Sequence, residues 1–216
     1  MQHTTGHILP APTFNKIPRF EHQVHVIAPA ALHAIGELFI EHDVQQHYGV
    51  GLLHRHFDLQ DNQIMLHRLN AGDIDVCSVC DVHSVDATLL VPHSLYLNSM
   101  LTFEPFEYSL GDTRVPHFDT SFLDALRDLL ISLALRETIS LVPNPSDGMP
   151  NGIIVENTLA GIEATQSTVQ PREWTPHKGD TAVITGWRFH QDQLGRLQIV
   201  EVKECVKNGA GVHNVT

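Results

Sequence analysis

His54-Arg55-His56 closes the run from Tyr48 to Phe57 and sets two imidazoles one residue apart. In an extended chain such residues project to one side, because strand side chains alternate with a period of two. Two neutral imidazoles on one side begin a metal centre. A hairpin supplies a third. With a turn at Gln60-Asp61-Asn62, a strand from Gly49 to Leu59 faces a second from Gln63 to Leu69, bringing His56 opposite His67, Phe57 opposite Leu66 and Leu59 opposite Ile64. The apolar residues then share the other face, and a slip by one residue would turn Leu66 or Phe57 out of the core. His54, His56 and His67 are therefore the predicted metal ligands.

Three imidazoles with one open position are a catalytic arrangement, since zinc there lowers the pKa of bound water to about 7. A divalent metal is expected, zinc first, with iron or copper as alternatives because imidazole suits all three. The layout resembles the His-x-His plus neighbouring-strand His of carbonic anhydrases and, more loosely, the metal-bearing strand of cupins. The resemblance covers this hairpin alone. Cupins would add a Glu shortly after His-x-His, where Asp58 and Gln63 are the nearest residues here. His93, Glu104 and Glu107 are the candidate catalytic acid/base groups. Against this stands a plainer reading, in which the imidazoles are polar residues on the wetter face of a sheet and the glutamates are solvated beside Pro105.

Cys77-x-x-Cys80 with His83, completed by Cys205 and His213, offers a structural zinc set. On a strand, however, residues 77 and 80 point to opposite faces, and free Cys is commonly a buried core residue. Trp174, Trp187 and Phe189 suit a pocket lining or, more often, a core. No nucleophile elbow, phosphate-binding glycine loop, Rossmann fingerprint or His-Glu-x-x-His helix is present.

The elements that must position these residues are mostly strands. Helices are expected at about 29–46, from Pro29 with Leu32, Ile35 and Phe39 on one face, and at about 120–136, from the stripe Phe122, Leu126, Leu129, Leu130 and Leu133. Asp119, Thr120 or Ser121 would cap the second. Strands are expected at 24–27, 73–85, 88–91, 101–109, 153–156, 161–169, 181–189 and 197–202, with a hairpin turn at 191–195. Pro105 confines its strand to an edge or a bulge. The segment 143–152 reads as a linker or lid. No long internal repeat and no low-complexity tract is evident. The predicted fold is α+β and mainly β, an antiparallel sheet or barrel-like single domain over 21–216, after an irregular arm at 1–20 lying on the surface or on a partner.

In bulk the chain has 216 residues, 42% hydrophobic and 18% charged, as expected of a soluble protein with a core. Its net charge of −12 disfavours nucleic acid and anionic membrane surfaces. Three cysteines and no secretory leader point to the cytoplasm. The expected partner is a small-molecule substrate, with homo-oligomerisation open. Together these readings point to a small metal-dependent enzyme of lyase, isomerase or hydrolase type. The alternatives are a non-catalytic binding or scaffold protein, with the 16 histidines serving packing or pH response, and a metal-free histidine acid/base enzyme.

Overall fold

In a computed structural model, the described residues are 8–22, 27–70, 74–111, 120–144, 152–159 and 161–207. In chain order they form α1 (Ala11–Phe14), α2 (Pro29–Glu41), β1 (Tyr48–Leu52), β2 (Gln63–Asn70), β3 (Ile74–Asp81), β4 (Leu90–Leu97) and β5 (Phe103–Leu110). Then follow α3 (Thr120–Ser132), β6 (Ile139–Pro143), β7 (Ile153–Thr158), β8 (Ala164–Gln170), β9 (Thr181–Gln191) and β10 (Leu197–Lys207). The expected strand at 24–27, the cap Asp119, His213 and most of the 143–152 segment lie outside the described residues. Among the described residues no helix is long and apolar enough to cross a membrane.

The ten strands close into a barrel in the order β1-β6-β4-β5-β2-β3-β8-β7-β10-β9. The mainly β expectation holds, and closure removes the edges of an open sheet. Two joints, β2 with β5 and β7 with β10, are parallel rather than antiparallel. Exchanging β1–β5 for β6–β10 leaves the circular order unchanged, so the barrel has a two-fold internal repeat that the letters conceal. α2–β1 and α3–β6 match position by position: Pro29 with Thr120, Phe39 with Leu130, Tyr48 with Ile139.

Both main helices are shorter than expected, for one reason. Asp43 (φ 54°) and Ala134 (φ 56°) adopt left-handed backbone just past the helix ends. There Val44 N–H donates to Phe39 O and Leu135 N–H to Leu130 O, at 3.1 and 2.8 Å. These are Schellman closures built without the usual glycine, so no stop signal is visible in the letters. The apolar stripes then pack on the barrel exterior. Ile35, Phe39, Phe122, Leu126 and Leu130 form one cluster with Val50, Leu141, Trp187 and Phe189.

The expected 49–59 hairpin strand does not form. β1 stops at Leu52, pairs antiparallel with β6 and β9, and hands over to an irregular segment. β2 pairs instead with β3 and β5, so His56 does not face His67. Pro105 does mark a bulge: Ser94 faces Glu107 and Leu95 faces Pro105, leaving Phe106 extra. The described part of the N-terminal arm is not a surface strand of coil. Leu9, Phe14 and Ile17 are buried in a cluster with Leu53, Leu59, Met65 and Phe106.

Candidate metal centre

The face of the strands opposite the helices lines the barrel interior, where an apolar cluster of Met65, Cys77 and Tyr96 under the N-terminal arm adjoins a polar part. Glu107 on β5 and Lys203 on β10 act on one another electrostatically although four strands separate them around the wall, so their field crosses the lumen. Ser94, Ser140, Glu156, Thr165, Ser167 and Arg188 are buried.

His54 and His56 reach this interior from the segment after β1. Arg55 pins that segment to the N-terminal arm, donating to Ile17 O at 2.7 Å and Asn15 O at 2.9 Å, and it forms an ion pair with Asp58. Phe20, from the arm, packs on both imidazoles with ring centroids at 5.1 and 5.2 Å. The His54 Nδ1–H donates to Leu52 O at 2.7 Å, which leaves its Nε2 lone pair facing inward. That backbone bond is the kind that fixes the tautomer of a metal-binding histidine.

Four donor atoms from the wall and this segment converge there: His54 Nε2, His56 Nε2, Glu156 Oε1 and Cys205 Sγ, all within 4.8 Å of one another. His54 Nε2 lies 3.2 Å from His56 Nε2, 3.6 Å from Glu156 Oε1 and 3.5 Å from Cys205 Sγ. Glu156 Oε1 lies 2.9 Å from His56 Nε2 and 3.0 Å from Cys205 Sγ. The second carboxylate oxygen, Oε2, accepts from Lys203 Nζ at 2.6 Å and from Ser167 Oγ at 3.4 Å. Gly186 makes room for that lysine, since a Cβ there would sit 2.8 Å from the Lys203 Cβ.

Burial pushes the Glu156 carboxyl up, but Lys203 and the hydrogen bond from His56 outweigh it and hold the pKa well below the usual range. Burial favours neutral His56, although Glu156 opposes this. The Cys205 thiol is held well above its ordinary value by burial and by the Glu156 charge. Without a cation the centre thus holds a carboxylate paired with one ammonium and facing a thiol that keeps its proton.

Of the three predicted ligands, the structure brings His54 and His56 together and places His67 elsewhere. His67 Nδ1 donates to Asp75 Oδ2 at 2.7 Å, its Nε2 lies 3.3 Å from Glu107 Oε2, and its ring stacks on His93 at 3.6 Å between centroids. The candidate acid/base groups His93 and Glu107 therefore surround His67. Glu104 lies apart, accepting from Tyr96 Oη at 3.5 Å. Burial opposes charge on His67, but the paired Asp75 carboxylate outweighs it and holds the pKa well above normal. Burial, helped by the His67 charge, lowers His93 to about 3. Burial works against the Glu107 carboxylate, yet His67 holds it at about 2.

The structural zinc set expected of Cys77, Cys80 and Cys205 is not assembled. Cys77 faces His67 across β2 and β3, Cys80 contacts Arg68 and Ser84 on the other face, and Cys205 joins His54. Trp187 and Phe189 are core, and Trp174 packs beside Ile153 and Val155. The sequence reading missed Glu156 as a donor and Lys203 as its partner. The one local signal is an acid directly after the apolar run Ile153-Ile154-Val155 in a strand that must be buried. Comparison with protein-family models, with curated proteins and with solved structures finds no match.

Proposed function

We propose that this protein is a metal-dependent enzyme acting on a small polar organic molecule, with His54, His56, Glu156 and Cys205 holding a divalent metal, zinc first. One observation carries the reading. Donors bonded to tetrahedral zinc at about 2.0–2.3 Å must lie about 3.3–3.6 Å from one another. Five of the six donor–donor separations here run from 2.9 to 3.6 Å, and the sixth lies within 4.8 Å. The donor set of two imidazoles, a carboxylate and a thiol suits zinc, with iron and copper as alternatives.

Zinc bound there would supply Lewis-acid activation of a carbonyl or of water. The chain's own residues would do the rest. Glu156 is oriented by Lys203 and Ser167. Lyase, isomerase and hydrolase chemistry all fit this apparatus. A second reading, a non-catalytic metal staple between β7, β10 and the His54–His56 segment, is favoured by the completeness of the four-donor set, which leaves no open position.

Metal analysis of the untagged full chain tests the centre. Wild-type protein should retain or reconstitute a bound metal, and His54→Ala and His56→Ala should each lose one equivalent while keeping the native circular dichroism. Wild-type protein that stays metal-free after reconstitution refutes the reading, and so does unchanged content in both variants. Azide added to cobalt-substituted Cys77→Ser protein separates the two readings. A shift in the visible spectrum shows a position that opens for substrate, whereas an unmoved spectrum leaves the staple.

A further inference from the structure

The lumen holds a second cluster that the centre above does not use. His67 is 8% exposed, and its Nε2 makes no hydrogen bond although it is fully enclosed. Asp75 Oδ2 accepts from Nδ1 of the same ring at 2.7 Å, so Nδ1 carries the proton and Nε2 is turned toward Cys77 and Glu107. His93 stacks on the ring with an interplanar angle of 13° and fixes its plane. Glu107 Oε2 faces that nitrogen at 3.3 Å without a hydrogen bond to it, whereas buried polar atoms are ordinarily hydrogen-bonded. A carboxylate–histidine pair aiming its other ring nitrogen at further donors is the arrangement in which protein metals are held.

We infer that His67 Nε2, Cys77 Sγ and Glu107 Oε2 form a second site for a divalent cation of the zinc class, with Asp75 as the carboxylate that orients the imidazole. The three donor atoms lie within 4.8 Å of one another. Nitrogen, sulfur and oxygen donors together select a borderline-soft transition ion over calcium or magnesium. Three protein donors leave one tetrahedral position for water or a substrate atom, unlike the four-donor set at Cys205. The grouping of His67 with Asp75 and His93 is the weaker alternative: Asp75 already engages Nδ1, and stacked parallel rings do not aim their lone pairs at one point. The internal repeat supports the placement. His67 on β2 and Glu156 on β7 occupy matching positions, each two residues beyond the residue that pairs with Glu107 or Lys203.

This inference does not depend on the first centre, and cobalt titration of the chelator-treated full chain keeps the two apart. Wild-type protein should take up a second equivalent of cobalt, with thiolate-to-cobalt charge-transfer absorption from both Cys77 and Cys205. Cys205→Ser should retain one equivalent, and Cys77→Ser should retain the other. Glu107→Gln should weaken only the Cys77-linked equivalent, at least tenfold, and Asp75→Asn by about tenfold to a hundredfold. A single equivalent that persists unchanged in Cys77→Ser and Glu107→Gln overturns the second site and leaves the first. A single equivalent lost in Cys77→Ser but not in Cys205→Ser does the reverse. Absence of cobalt uptake overturns both, and leaves His67 as an imidazolium held between Asp75 and Glu107.

Discussion

Replacing Lys203 by Met should weaken the metal-free protein and at the same time tighten its hold on metal. The Lys203 ammonium lies 2.6 Å from Glu156 Oε2, and the Glu156 side chain is 6% exposed. Removing one partner of a buried pair costs about 3–5 kcal/mol, because the other charge is left uncompensated. The lysine side chain is 30% exposed, so the lower end applies, about 3 kcal/mol. For a chain of this size that lowers Tm by about 6–12 °C. A dication on Oε1 compensates the same carboxylate. Its repulsion from an ammonium about 5 Å away, at an effective dielectric of about 20, is about 7 kcal/mol before relaxation. Losing even a quarter of that repulsion tightens binding about tenfold. Thermal melts of Lys203→Met in chelator and in saturating zinc, with a zinc titration, provide the assay. The reasoning fails if the loss of Tm is the same in both conditions, or if zinc affinity does not rise.

Two further outcomes follow from the packing. Phe39 is fully buried, edge-on to Phe122 at 5.2 Å and tilted against Phe189 at 5.0 Å, so Phe39→Ala should cost about 4 kcal/mol in urea unfolding with the m-value unchanged. A cost below about 2 kcal/mol would mean that the α2–α3 seam collapses to fill the space. Arg55→Met should cost about 2–3 kcal/mol by leaving the Ile17 and Asn15 carbonyls without their charged donor. It should also speed amide exchange in the Phe14–Phe20 stretch more than in β1, and uniform acceleration would contradict the arm's dependence on that residue.

The legible part of the site is the part that is local. His54 and His56 meet because they are two residues apart on one extended segment, and that relation survives even though the segment is not a strand. His67 was misplaced because the proposed hairpin satisfied its hydrophobic pattern equally well against the wrong partner. Ile64 and Leu66 do share an apolar face, but they share it with Cys80 and Tyr108 rather than with Phe57. Periodicity reports which face is buried and not which strand covers it. Glu156 and Cys205 arrive through barrel closure, a parallel joint between β7 and β10 that no short-range signal announces. The helices were legible from Phe122, Leu126, Ile35 and Phe39, and their ends were not, because Asp43 and Ala134 do the work that glycine usually marks. The repeat escaped notice since it conserves burial and backbone rather than letters: Ile35 matches Leu126, Val44 matches Leu135, Val50 matches Leu141.

That repeat also accounts for how the lumen came to hold opposite charges. At matching positions one half carries His67 and Glu107, and the other carries Glu156 and Lys203. Each half therefore builds an ion pair across its parallel joint, with the signs exchanged between halves. Had the halves stayed identical, the two-fold relation would set like charges facing one another in a low-dielectric interior, an arrangement that costs several kcal/mol. Exchange of the signs turns that repulsion into attraction, which is the sense of the interaction between Glu107 and Lys203. It also makes the halves chemically unlike. One becomes a carboxylate ringed by two imidazoles and a thiol, and the other an imidazole oriented by Asp75 toward a thiol and a carboxylate. A symmetric scaffold thus provides two different donor sets in one shared interior.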